Sequence, residues 1–218
     1  MKEIKIKIKK ILMGKKPIVI MLHSVDYLND SCTISFNNFT SFIDCFEKEI
    51  RNKKIVLTFD DGFESVYTKC FRYLRERNLP FVCFLVVDFI DKPNYLTKHQ
   101  LHEMLETGLL TIGSHGMTHA ILTKIGYSEL KNEIVHSREE LEKIFNIPVS
   151  LFAYSHGAFN KKCVRLVRKA GYRFAYSATS NLSDYVFFGK YRIPRYNLKN
   201  KTVNQVINEV GFYEEKSV

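Results

Sequence analysis

The sequence predicts an α/β fold: a mainly parallel sheet curled toward a barrel and carried by a single domain. Three observations lead there. Short apolar runs alternate with longer segments of helical period, the mark of βα units. Six or seven such units fit within 218 residues, with no repeat, low-complexity tract or linker to divide them. Polar residues able to bind metal or move protons stand just after several apolar runs, where barrel enzymes keep their chemistry.

In chain order, PIVIML at 17–22 is apolar throughout, as a strand buried on both faces must be. Residues 37–51 follow with helical period, and Asn37 is a suitable N-cap. IVLTF at 55–59 is the next strand, followed by a helix over 63–78. FVCFLVV at 81–87 is the third strand, with a helix over 97–107 after it. Thr97 caps that helix and Gly108 follows its end. LLTIG at 109–113 leads to a helix over 127–146. Ser128 is its candidate cap, although the acid of a capping box is missing at Lys131. VSLFAY at 149–154 precedes a helix over 160–171, capped by Asn160 and closed at Gly171. RFAYS at 173–177, a short last strand at 191–194 and a helix over 202–210 complete the series.

A hydrophobic content of 45%, with 17 Phe, 12 Tyr and no Trp, implies a folded globule with an aromatic core. The net charge of +10 is scattered except in residues 1–16, where Lys2, Lys5, Lys7, Lys9, Lys10, Lys15 and Lys16 cluster. We read 1–16 as a basic N-terminal segment and 17–218 as the functional domain. Scattered charge argues against nucleic acid as a partner. The cluster suits peripheral contact with an anionic membrane or an anionic saccharide. Five cysteines (32, 45, 70, 83 and 163) form no CxxC pair, so free thiols in a reducing compartment are expected. Gly14-Lys15-Lys16-Pro17 interrupts the first apolar stretch before it reaches signal-peptide length. No run approaches the ~20 apolar residues of a membrane span. The expected location is cytoplasmic, possible membrane association included.

Asp60-Asp61-Gly62 ends one strand, and Ser114-His115-Gly116-Met117-Thr118-His119 follows another. Adjacent side chains on an extended strand point to opposite faces. Both carboxylates therefore serve one site only if the strand breaks there, which Gly62 makes easy. The triplet alone would equally cap a helix at Phe63. His115 and His119 stand four apart, the spacing of one helical face on which two imidazoles share a divalent ion. An Asp with two His leaves a coordination position open, as catalytic metal sites do, and spares the other Asp for a proton. His23 and His156 also follow strands. His99, His102 and His136 fall in helices and are expected at the surface.

With these motifs the chain resembles the polysaccharide deacetylases of the NodB-homology group, carbohydrate esterase family 4. TFDDG at 58–62 and SHGMTH at 114–119 match two signature motifs. IVIMLHSV at 18–25 is similar to the YHxV-type opening of one branch, and SLFAYSHG at 150–157 to its FAYPYG element. Ala170-Gly171-Tyr172, Ala175-Tyr176-Ser177 and Arg192-Ile193-Pro194-Arg195 match later elements, so the likeness runs from about 17 to 197. It implies a distorted (β/α)7 barrel and metal-dependent removal of an N-acetyl group from an amino sugar, in a polysaccharide or a glycan precursor. Asp61, His115 and His119 would hold the metal, Zn2+ in most members, with Co2+ or Ni2+ as substitutes. Asp60 would be the general base, and a backbone N–H near His156 would help hold the oxyanion.

Three departures qualify the likeness. The family's third motif often carries an Arg that contacts the base; the matching position here is Ala153, and Arg195 is the candidate substitute. Ser155-His156 replaces Pro-Tyr beside Tyr154, putting an imidazole on the rim as a second candidate acid. The late Leu-x-His element that supplies the acid in many members is missing; the resemblance to the YHxV branch, whose early His fills that role, implies His23 as the general acid. Two other readings stay open: a catalytically impaired saccharide-binding protein, and a metal-dependent amidase acting on a non-sugar substrate.

Overall fold

The computed structural model describes residues 6–8, 17–26, 32–178, 189–210 and 212–214. Its strands, in chain order, are β1 (Ile6–Ile8), β2 (Ile18–Leu22), β3 (Ile55–Asp61), β4 (Phe81–Leu85), β5 (Leu110–Ser114), β6 (Leu151–Ala153), β7 (Phe174–Tyr176), β8 (Tyr196–Asn197) and β9 (Phe212–Glu214). Its helices are α1 (Phe36–Arg51), α2 (Arg72–Glu76), α3 (Lys98–Glu106), α4 (Tyr127–Lys131), α5 (Ser137–Phe145), α6 (Lys161–Lys169) and α7 (Val203–Val210). A π-helical turn, Val66–Phe71, leads into α2, and another, Asn132–His136, joins α4 to α5. Apart from Ile6–Ile8, which pair antiparallel with β9, the basic segment lies outside the described residues.

Seven strands form one sheet in the order β7-β6-β5-β4-β3-β2-β8, and every neighbouring pair is parallel. All five residues of β2 and all five of β4 are buried, as their unbroken apolar runs require. The sheet curls until its two ends meet through one segment of chain. Ile193 bridges in parallel to Tyr176 of β7, and Tyr196–Asn197 pair with Ile20 and Met21 of β2. Residues 193–197 thereby step from one edge of the sheet to the other. This is the expected seven-unit distorted barrel in a single domain. The last strand falls later than 191–194 because Pro194, which has no N–H, interrupts pairing between the two contacts.

Strand alternation sorts the side chains. Thr58 and Asp60 of β3 share one face with their register partners Val82 and Phe84 in β4, and Val82 and Phe84 pack there with Ala153 and Val56 inside the barrel. Leu57 and Phe59 face the helices. There Phe59 meets Phe39 of α1 at 6.2 Å and Phe81 edge-on at 5.9 Å. Asp60 therefore ends an inward-facing row at the carboxyl rim.

Side-chain caps set the starts of α1, α3 and α6, and two helix starts differ from expectation. Ser35, not Asn37, caps α1, its Oγ accepting from the Asn38 N–H at 3.2 Å. The fourth helix begins after Gly126 rather than Ser128. Counted from there, Glu129 stands in the place of the missing acid and accepts the Gly126 N–H at 2.9 Å. Thr97 and Gln100 form a reciprocal capping box, and Asn160 accepts from Lys162 and Cys163. Among the described residues, no helix is long and apolar enough to cross a membrane.

Candidate active site

Asp60 sits 1% exposed at the end of its row, and a cation holds it there. Arg195, itself fully buried, donates Nη1 to Asp60 Oδ1 at 2.6 Å and Nη2 to Oδ2 at 2.7 Å. Its other donors reach Ser177 O at 3.0 Å and Thr58 Oγ1 at 3.2 Å. The guanidinium lies 5.2 Å from the centre of the Phe84 ring. Such a fork fixes both the orientation and the ionisation of the carboxylate. Burial alone would raise the Asp60 pKa, but Arg195, with help from His115, overrides it and holds the carboxyl well below the ordinary carboxylate range. The Arg missing at Ala153 thus has a geometric replacement in Arg195, supplied by the segment that closes the barrel.

The strand breaks across Asp61 and Gly62, and Gly62 follows in the left-handed region at φ +80°. Asp61 still pairs in β3 but adopts φ +68°, and the Gly62 N–H turns back to Asp60 O at 2.9 Å. That left-handed residue brings both carboxylates to the rim despite strand alternation. Asp61 Oδ1 lies 3.5 Å from His115 Nε2 and 3.3 Å from His119 Nε2. One donor atom from each of Asp61, His115 and His119 falls within 4.8 Å of the others.

The two histidines do not share a helix. Residues 115–119 form a turn, with φ +99° at Gly116 and +67° at His119, and chain reversal rather than helical stacking brings the imidazoles to 5.0 Å. His115 Nδ1 is 2.8 Å from Ala153 O, which makes Nδ1 the protonated nitrogen and leaves Nε2 as a ligand atom. Burial lowers the His115 pKa to about 4, against the opposing pull of Asp60. Burial, reinforced by His115 and His156, takes His119 to about 3. Neutral imidazoles beside a carboxyl group at 3.3–3.5 Å suit a divalent metal, so the donor set fits. One consequence is measurable. Ordinary imidazoles, with pKa about 6.5, would together weaken metal binding more than tenfold between pH 8 and pH 6. Here both histidines titrate below that range, and competition with a chromophoric chelator should give affinities within about threefold across it.

His23 follows β2 on the same rim, close enough for its charge to act on Asp60, His115 and His119. His156 also adopts left-handed φ, +56°; its ring lies 4.3 Å from that of His119 and its Nε2 is 3.1 Å from His119 O. Tyr154, with His156 and Arg195 a candidate substrate, oxyanion or supporting residue, has its side chain in the core, where a supporting role is the one open to it. It is fully buried, stacked on Phe159 at 4.7 Å, with its hydroxyl donating to Tyr191 O at 3.0 Å. The N–H groups of Tyr154, Gly157 and Ala158 bond to backbone carbonyls, which narrows the candidate oxyanion N–H to Ser155 or His156. His99, His102 and His136 are exposed, as expected. Of the Tyr and Phe residues at 185–191, those at 185–188 lie outside the described residues.

One buried carboxylate was not anticipated. Glu133, 2% exposed, accepts hydrogen bonds from the turn that carries the histidines. Its position between Leu130 and Ile134, on the apolar stripe of its helix, was the available signal.

A curled parallel barrel with Asp and His donors gathered at its carboxyl rim is the NodB-like architecture. Residues 47–175 match the family model described as polysaccharide deacetylase, more than half of the chain, and the chain belongs to that family. It is 28% identical over 200 residues to a poly-β-1,6-N-acetyl-D-glucosamine N-deacetylase of Staphylococcus epidermidis, covering 83% of this chain and 68% of that one. With a Bacillus subtilis relative it shares 24% identity over 127 residues, 58% of this chain and 45% of the other. A solved polysaccharide deacetylase from Bacillus cereus matches with a TM-score of 0.76 at 26% identity, over 90% of this chain and 69% of that one. The chain thus spans from under half to about two thirds of the length of these relatives.

Proposed function

We propose that the protein is a metal-dependent N-deacetylase acting on a glycan that contains N-acetylglucosamine, with Zn2+ as its metal and Co2+ or Ni2+ as functional substitutes. The observation that carries this reading is the convergence of Asp61, His115 and His119 within 4.8 Å, beside a second carboxylate that a buried Arg keeps ionised. The matched family and the poly-β-1,6-N-acetyl-D-glucosamine deacetylase relative support the substrate class.

Asp61, His115 and His119 would hold the ion. Its chemistry there is Lewis acidity, which polarises an amide carbonyl and acidifies water, and so suits a carboxylate too strongly paired to be a good proton acceptor alone. Asp60, oriented by the Arg195 fork, takes the proton from the attacking water. The N–H of Ser155 or His156 donates to the oxygen that becomes negative as the tetrahedral intermediate forms. His23 then protonates the departing amine, and acetate leaves.

Purified protein supplied with Zn2+ or Co2+ is expected to release acetate from N-acetylglucosamine oligomers, one free amine appearing per acetate. Comparing β-1,6- with β-1,4-linked oligomers and with a simple non-sugar acetamide reads the substrate class. Absence of acetate from every amino sugar tried would sink the proposal, and preference for the simple amide would move it to the amidase reading.

A further inference from the structure

We infer that Glu133 is a positioning residue for the metal site: its buried carboxylate shapes the 114–119 turn so that two imidazoles meet Asp61. The inference rests on the metal-dependent reading above. Glu133 Oε2 accepts from the Met117 N–H at 3.0 Å, Oε1 from the Thr118 N–H at 3.1 Å, and Oε1 from the Thr118 hydroxyl at 2.6 Å. Both acceptor oxygens are therefore spent on the residues between the two candidate ligands. Among the described residues Glu133 forms no ion pair, so a fully buried acid is held by N–H and O–H donors alone. A buried carboxylate is costly to keep charged without a cation, which marks it as more than a packing residue.

Two further features fit the same role. A Cβ on Gly116 would lie 2.4 Å from Glu133 Oε2, so the residue after His115 must be glycine for the carboxylate to enter the turn. Glu133 also lies within the π-helical turn Asn132–His136, whose Glu133 carbonyl accepts from Ser137 Oγ at 2.6 Å. That hydroxyl in turn meets Ser114 Oγ at 2.8 Å, and Ser114 Oγ accepts from the Gly116 N–H at 3.2 Å. π-Helical turns recur where a helix must aim a side chain at a site. The remaining sides of the turn are pinned by the His115 N–H to Leu85 O at 2.8 Å and by Ser155 Oγ to His115 O at 2.7 Å.

The test is metal affinity, measured by chelator competition with Zn2+ on wild type, Glu133→Gln and Thr118→Val, together with the melting temperature of each metal-free protein. Glutamine keeps the shape but turns one acceptor into a donor facing N–H groups. An affinity loss of about 10–100-fold is expected for it, the range for groups that orient metal ligands, with a smaller loss for Thr118→Val. Acetate release by Glu133→Gln should return when metal is raised to saturation. Wild-type affinity in both variants overturns the inference and leaves the metal reading intact, even if melting temperatures fall, because Glu133 would then act on the fold alone. If Glu133→Gln does not fold, Thr118→Val decides by the same criterion. A wild-type protein that binds no Zn2+ overturns the metal reading and this inference together.

Discussion

Asp60→Asn is expected to lower acetate release by about 10²–10⁴-fold, the range assigned to a positioned general base, without emptying the metal site. The amide has no basic oxygen to receive a proton from water. It also faces Arg195 with an NH2 group where a carboxylate oxygen now accepts at 2.6–2.7 Å, so one half of the fork is lost. A buried guanidinium left half-paired costs stability, about 3–5 kcal/mol when a buried pair is broken outright. Melting temperature and bound metal therefore need to be measured beside turnover. A folded, metal-loaded Asp60→Asn protein with undiminished acetate release would remove Asp60 from the chemistry.

The second large effect belongs to Arg195. Replacing it by Met leaves Asp60 buried with no cation, and a loss of about 3–5 kcal/mol follows from the same reasoning. Here pH supplies a check that a mere cavity would not. In the native protein the Asp60 pKa lies below its ordinary value of 3.8, so the pair adds stability above that pH and loses it as pH falls toward the folded-state pKa. Without Arg195, burial dominates and moves the carboxyl upward, so the ionised form destabilises the fold at neutral pH and protonation relieves it. Urea unfolding should then show a wide gap between wild type and Arg195→Met at pH 7, narrowing toward pH 4. The acid limb of the acetate-release profile should shift to higher pH in parallel. A gap that does not change with pH would mean that Arg195 contributes packing and no charge.

Much of this was legible in the sequence because burial leaves a plain mark there. Strands such as 18–22 and 81–85 are covered on both faces and so read as unbroken apolar runs, and residues just past those runs had to share one rim. What escaped depends on backbone angles that residue type does not reveal. Asp61 and His119 adopt positive φ although neither is glycine. A spacing of four between histidines looks the same in a helix and in a turn. Closure of the barrel by 193–197 rests on two short contacts either side of Pro194, too brief to leave a periodic pattern. Tyr154 lies beside the site in sequence, yet its ring packs on Phe159 on the helix side of the sheet, because neighbours on a strand face opposite ways. Glu133 was visible in principle as an acid on a greasy helix face. Its target, the turn between two ligands, emerges only when helix and turn are packed together.

The most direct measurement is acetate release from a β-1,6-linked N-acetylglucosamine oligomer, followed as Zn2+ is added to chelator-treated protein. No turnover before addition, then a rise in proportion to added ion that levels at about one equivalent per chain, is the expected result for a single Asp61–His115–His119 site. Stripped protein that works as well as loaded protein, or loaded protein that releases no acetate, would contradict it.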